Sequence, residues 1–127
     1  MADYVQAAIR HWRDSSDLGE LSRFDNASHL LGFALECALK EKMQLAGAKA
    51  AKVHIPELFS AYRARMKGRQ VGFSMDINLL ASGPDSFFDW NVSDRYEADG
   101  HVTEVVWKGR KRRAGQFLAS LGMMRKK

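Results

Sequence analysis

The sequence predicts an all-α protein, an up-and-down bundle of four main helices with a possible fifth short one, in a single domain spanning residues 1–127. Three observations carry this expectation. Apolar residues recur at three- and four-residue spacing in several separate stretches, the signature of helices with one buried face. Only 2 Pro and 10 Gly interrupt 127 residues, and a hydrophobic fraction of 46% fits a compact globule and argues against disorder. Turn chemistry such as Gly47 and Ser82-Gly83-Pro84-Asp85 falls between the periodic stretches.

Helix one is expected from Asp3, a good cap, to about Asp17, with Tyr4, Val5, Ala8, Ile9 and Trp12 as its apolar stripe and Gly19 as its breaker. Only a few residues then separate it from the next helix, so the two should be antiparallel neighbours. The central helix should occupy Ser22 to Gly47, where Ala27, Leu30, Leu31, Ala34, Leu35 and Ala38 share one stripe. Ser22 with Asp25 has the form of a capping start signal, and Gly47 suits the left-handed stop. Gly32, Ala34 and Ala38 lack bulk, so a neighbour can approach closely.

Helix three should begin near Ile55-Pro56, where proline suits a first turn, and run to about Met66 with Leu58, Phe59 and Tyr62 inside. From Gly68 to Gly100 the periodicity weakens. Ile77, Leu79 and Leu80 could form a short helix or a turn, and Phe87-Phe88-Asp89-Trp90-Asn91-Val92 is too apolar for a free loop. Those aromatics are expected to plug the bundle or to enter an inter-subunit contact. The last helix should run from Val102 or Thr103 to Leu121, ending at Gly122. Val102, Val105, Val106, Ala114, Phe117, Leu118 and Leu121 are its expected inner face.

The charge balance narrows the partners. A net charge of +5 and a pI near 9.6 are concentrated in Lys108, Arg110, Lys111, Arg112 and Arg113, in a mid-chain run from Arg63 to Arg69, and at Arg125, Lys126 and Lys127. Such patches attract polyanions, although a solvated helix face would read the same way. No apolar run approaches the roughly 18 residues that span a bilayer. The opening MADYVQAAIRHWRD does not read as a secretory signal, so the cytoplasm is the expected compartment. Cys37 lies within the central helix and has no second cysteine to pair with. Walker, GxGxxG and HExxH signatures are missing, and the 4 histidines are scattered, so neither a cofactor nor a metal site is expected.

Several short motifs resemble those of HEPN domains. Ala27, Leu30, Gly32, Ala34, Glu36, Leu39 and Lys40 follow that family's long-helix pattern. Lys52-Val53-His54-Ile55-Pro56-Glu57-Leu58 is similar to its lead into a third helix, and Asp94-Arg95-Tyr96 to its Arg-Tyr segment before the last one. The resemblance implies a homodimer and a metal-independent RNase site built from Arg-x(4–6)-His, a spacing met here by Arg95 and His101. In such a site arginine would hold the phosphate and offset its growing charge, while histidine moves protons. Lys108, Arg110, Lys111, Arg112 and Arg113 would widen the grip on RNA. A second pair with this spacing, Arg23 and His29, falls on the central helix, where the family does not place it. Catalytic members tend to carry a polar residue after the arginine, and here Tyr96 stands there. Two readings therefore remain open. One is an RNA-binding endoribonuclease of a toxin–antitoxin or phage-defence kind. The other is a non-catalytic HEPN module that binds a nucleotide or a partner protein, such as a nucleotidyltransferase or an antitoxin. His54 is expected to cap helix three or to meet a partner chain.

Overall fold

A computed structural model describes residues 3–47, 53–55, 57–66, 87, 90–91, 99–120 and 122. Within them lie four helices, α1 (Tyr4–Glu20), α2 (Phe24–Leu45), α3 (Glu57–Met66) and α4 (Glu104–Ser120), and no strand. The protein is all-α, with a four-helix arrangement in which α2 packs against the other three helices and α1 also packs on α4. The candidate short helix around Ile77–Leu80 lies outside the described residues.

The start of α1 follows from its cap. The Asp3 carboxylate accepts the Gln6 N–H at 2.9 Å, supplying one of the partners that a helix start lacks. Its end departs from expectation, because Gly19 lies inside the helix rather than breaking it. The flat face of Trp107 covers that glycine, and a Cβ added there would stand 1.9 Å from Trp107 Cζ2. Tertiary packing thus overrides the helix-breaking tendency of glycine, which amounts to only about 1 kcal/mol.

Leu21, Ser22 and Arg23 then turn the chain, with Ser22 at a positive φ of 60°. The expected Ser22–Asp25 capping arrangement does not form: Arg23 is the cap residue and makes no side-chain cap bond. Asp25 bonds instead to the chain ahead of α4. Helix α2 runs back along α1, since Ser15 meets Ala27 while the earlier His11 meets the later Phe33. Ala27, Leu31, Ala34, Leu35 and Ala38 are fully buried, as the stripe predicts, and Leu30 is half-buried at its edge. Gly47, at φ 77°, is the left-handed residue just beyond the helix.

Two tryptophans key the bundle together in the same way. Trp107 of α4 lies on Gly19 and donates its indole N–H to Ser15 Oγ at 3.1 Å; Ser15 Oγ in turn donates to the Ala27 carbonyl at 2.6 Å. Trp90 lies on Gly32 and donates to the Ser28 carbonyl at 3.0 Å. In each case glycine lets the ring reach the helix backbone, and a group one turn earlier satisfies the indole nitrogen. Phe87 and Trp90 are both buried, so these two aromatics of the 87–92 run plug the bundle. Leu58, Phe59 and Tyr62 close the core from α3.

On α4, Trp107, Ala114, Phe117 and Leu118 are buried and Val106 partly so, and Val102 just ahead of the helix is buried too. Val105, expected inside, is 79% exposed. It lies three and seven residues before Lys108 and Arg112, on the face opposite Trp107 and Ala114. Among the described residues no helix is long and apolar enough to cross a membrane.

Candidate functional site

The chain just before α4 is held by one carboxylate. Asp25, in the first turn of α2, accepts the Gly100 N–H at 2.8 Å on Oδ2 and the Val102 N–H at 2.7 Å on Oδ1. Gly100 takes a left-handed φ of 89°, which turns the chain, and Val102 is buried beneath it. His101 stands between these anchored amides with its side chain exposed. Thr103 Oγ1 accepts the Val106 N–H at 3.3 Å, so α4 begins one short step after the histidine. The free N–H groups at the start of a 17-residue helix favour a negative charge there.

Arg95, the expected partner of His101, lies outside the described residues. The second pair with the same spacing separates cleanly. Arg23 is exposed at the start of α2, whereas His29 is buried, stacked 5.0 Å from Trp90 and edge-on to Phe33 at 4.8 Å. His29 thus belongs to the aromatic packing around Trp90.

The basic run of α4 divides by helix face. Lys108 and Arg112 are exposed one turn apart, and Lys108 pairs with Glu104 at 3.2 Å. Lys111 is half-buried, its ammonium 5.2 Å from the centres of both the Trp12 and Trp107 rings. Arg113 is half-buried. Arg110 departs from the expected surface role: it is only 5% exposed, donates from Nη1 to Ser28 Oγ at 2.8 Å, and covers the Phe87 ring at 6.0 Å. Its charge ties α4 to α2 and to the aromatic plug instead of facing a polyanion, because position 110 falls on the same inward face as Trp107 and Ala114.

The two other motif stretches meet each other. Glu36, 3% exposed on α2, accepts His54 Nδ1–H at 2.9 and 3.0 Å on its two oxygens, and Oε1 also accepts the Ile55 N–H at 3.0 Å. A carboxylate can only accept here, so Nδ1 carries the proton and the exposed edge of the ring presents Nε2. His54 thus ties the chain ahead of α3 to α2 through Glu36, a contact other than the cap of helix three or the partner chain expected of it. Phe33 sits between His54 at 6.2 Å, His11 at 5.8 Å and Trp90 at 5.5 Å.

Burial shifts four titratable groups. It lowers His11, with Arg10 adding to the effect and Asp14 opposing it. It raises the Cys37 thiol, which Glu36 raises further, so the thiolate is disfavoured and the cysteine is a poor nucleophile. Burial also lowers Lys42, whose ammonium lies 5.8 Å from the Tyr62 ring, and pushes Tyr62 up to about 12. Among the described residues, no group of three or more His, Cys, Asp or Glu side chains is placed to hold a metal ion.

Asp25 is the residue that sequence reasoning missed. Its bonds to positions 100 and 102 link segments more than seventy residues apart, and no local pattern signals such a contact. Fold and site together define a helical-bundle protein with an anchored, exposed histidine at the start of its last helix. No protein-family model matches the chain, and no curated protein or solved structure matches it.

Proposed function

We propose that this chain is a HEPN-like helical domain that binds RNA and cleaves it without a metal, at a cleft formed between two copies. The observation that carries the reading is the exposed His101 held at the N-terminal end of α4, with Lys108 and Arg112 exposed along the same helix. Such an imidazole can take the proton of a ribose hydroxyl or return one to a leaving oxygen. The helix start and Arg95 would favour the phosphate whose charge grows in the transition state. The HEPN likeness is supported by the joining of its separate motifs, Glu36 of the long-helix pattern bonding His54 and Ile55 of the third-helix pattern.

The test is cleavage of single-stranded RNAs by purified protein. His101→Ala and Arg95→Ala should each abolish cleavage without unfolding the protein, chelator should leave the rate unchanged, and light scattering should give a dimer mass. Intact RNA with the wild type, or wild-type cleavage by His101→Ala, overturns the enzyme reading. The burial of Arg110 favours one other reading. With part of the basic run committed to the interior, a non-catalytic module binding a nucleotide or a partner protein needs only the remaining surface. It would co-purify with that partner and be indifferent to loss of His101.

A further inference from the structure

We infer that Asp25 is the positioning residue for His101, fixing the imidazole from a distant helix so that it can exchange protons with bound RNA; the inference rests on the RNA-cleaving reading. An acidic side chain in a first turn ordinarily serves the free N–H groups of its own helix. Here both Asp25 oxygens serve another segment, one accepting Gly100 N–H at 2.8 Å and the other Val102 N–H at 2.7 Å. These amides bracket His101, so the peptide plane that follows it and the plane one residue before it are tied to one carboxylate. Such charge-assisted bonds are short and strongly directional. Val102 is buried below the turn and Gly100 is left-handed above it, which leaves the residue between them directed outward.

Proton transfer depends steeply on placement, and an error of about 1 Å in a reacting group can lower a rate about a hundredfold. A histidine in a turn before a helix would otherwise sample several orientations. Asp25 restricts the backbone from which the ring projects without touching the ring, so its substitution should act on the chemical step more than on RNA binding.

Asp25→Asn keeps the size of the side chain but replaces one acceptor with an NH₂ group, which opposes one of the two amides. In protein shown to be folded by circular dichroism, kcat on a short single-stranded RNA should fall about 10–100-fold, with KM within twofold of wild type. Amide exchange at Gly100 and Val102 should quicken in the same variant. A second readout separates positioning from general loosening. Free imidazole added to His101→Gly should restore cleavage, and Asp25→Asn should leave that restored rate unchanged, because an untethered imidazole does not depend on the turn.

Three results overturn the inference. One is wild-type kcat in folded Asp25→Asn despite faster exchange at Gly100 and Val102, which leaves the RNase reading intact. Another is an equal loss in the imidazole-restored background, which would assign Asp25 to the fold or to substrate binding. The third is wild-type protein that cleaves no RNA, which removes the RNase reading and this inference together. Should asparagine at position 25 prevent folding, Asp25→Glu, which keeps the charge but moves the carboxylate by one methylene, is judged by the same outcomes.

Discussion

Replacing Gly19 with alanine sets two physical effects of opposite sign against each other. Helix propensity alone makes Gly19→Ala favourable by about 1 kcal/mol, since Gly19 lies inside α1. The packing opposes it. The new methyl would lie 1.9, 2.1 and 2.6 Å from three atoms of the Trp107 ring, all inside the closest approach of real carbon atoms. Trp107 cannot retreat freely, because its indole N–H is held by Ser15 Oγ and its ring packs 5.5 Å from Phe24. Overpacking of this kind costs about 1–3 kcal/mol, and losing the indole hydrogen bond adds about 1 kcal/mol. After subtracting the propensity gain, the expected net loss is roughly 1–3 kcal/mol.

For a chain of this size that loss corresponds to a fall in Tm of roughly 4–12 °C. Differential scanning calorimetry measures it, and a double-mutant cycle identifies its cause. In a Trp107→Leu background the clash is gone, so Gly19→Ala should become neutral or stabilising. Gly100→Ala is the contrasting control. Its Cβ would meet nothing within 4 Å, yet the φ of 89° should make it destabilising by about 1–2 kcal/mol through backbone strain and not through a clash. A Tm for Gly19→Ala equal to or above wild type would show that Trp107 does not press on this helix.

Three further outcomes follow from the same structure. Neutralising Lys108 and Arg112 to glutamine should flatten the salt dependence of RNA binding, by about 0.7 in the log–log slope for each single-strand phosphate left without its cation. Arg110→Gln should instead lower Tm, because it breaks the buried bond to Ser28; equal slopes for wild type and the Lys108/Arg112 variant would remove the basic face from binding. The alkaline limb of stability should carry a Tyr62 contribution. Burial holds the folded phenol neutral up to about 12, whereas the unfolded chain ionises near 10. Stability relative to Tyr62→Phe should therefore fall as pH rises from 10 to 12. A gap between the two proteins that stays constant over that window would refute it.

The parts of this fold that were legible in the sequence are those encoded within one helix. The stripe from Ala27 to Ala38, the Asp3 cap, the left-handed Gly47 and the inner face of α3 each depend on neighbours a few residues away. What escaped depends on a partner across the bundle. Gly19 looks like a breaker until Trp107 is placed on it, and Arg110 looks like one of five surface cations until Ser28 and Phe87 are placed beneath it. Val105 fits an apolar pattern, yet the face centred on Trp107, Arg110 and Ala114 turns it outward. Of the candidate site, the place of His101 just ahead of the last helix was legible, whereas its tether to Asp25 was not, and Arg95 lies outside the described residues.

The same long-range contacts join the stability of the bundle to the geometry of the site. His101 is fixed from two directions. Asp25 holds the amides of Gly100 and Val102, and Trp107, six residues further along the chain, locks α4 onto Gly19 and Ser15 of α1. Ser15 then passes the connection to α2 through the Ala27 carbonyl, two residues beyond Asp25. The tether and the tryptophan key thus close one loop through α1, α2 and α4, and the histidine lies on that loop. A loosened key would let the start of α4 move relative to Asp25, stretching bonds that are 2.7 and 2.8 Å long in the packed state. The placement of the exposed histidine thus depends on the Asp25 bonds, one exposed and one part-buried, and on the buried contacts of Trp107 and Ser15. Substitutions at Gly19 or Ser15 should therefore reach the site through its geometry even where the protein remains folded.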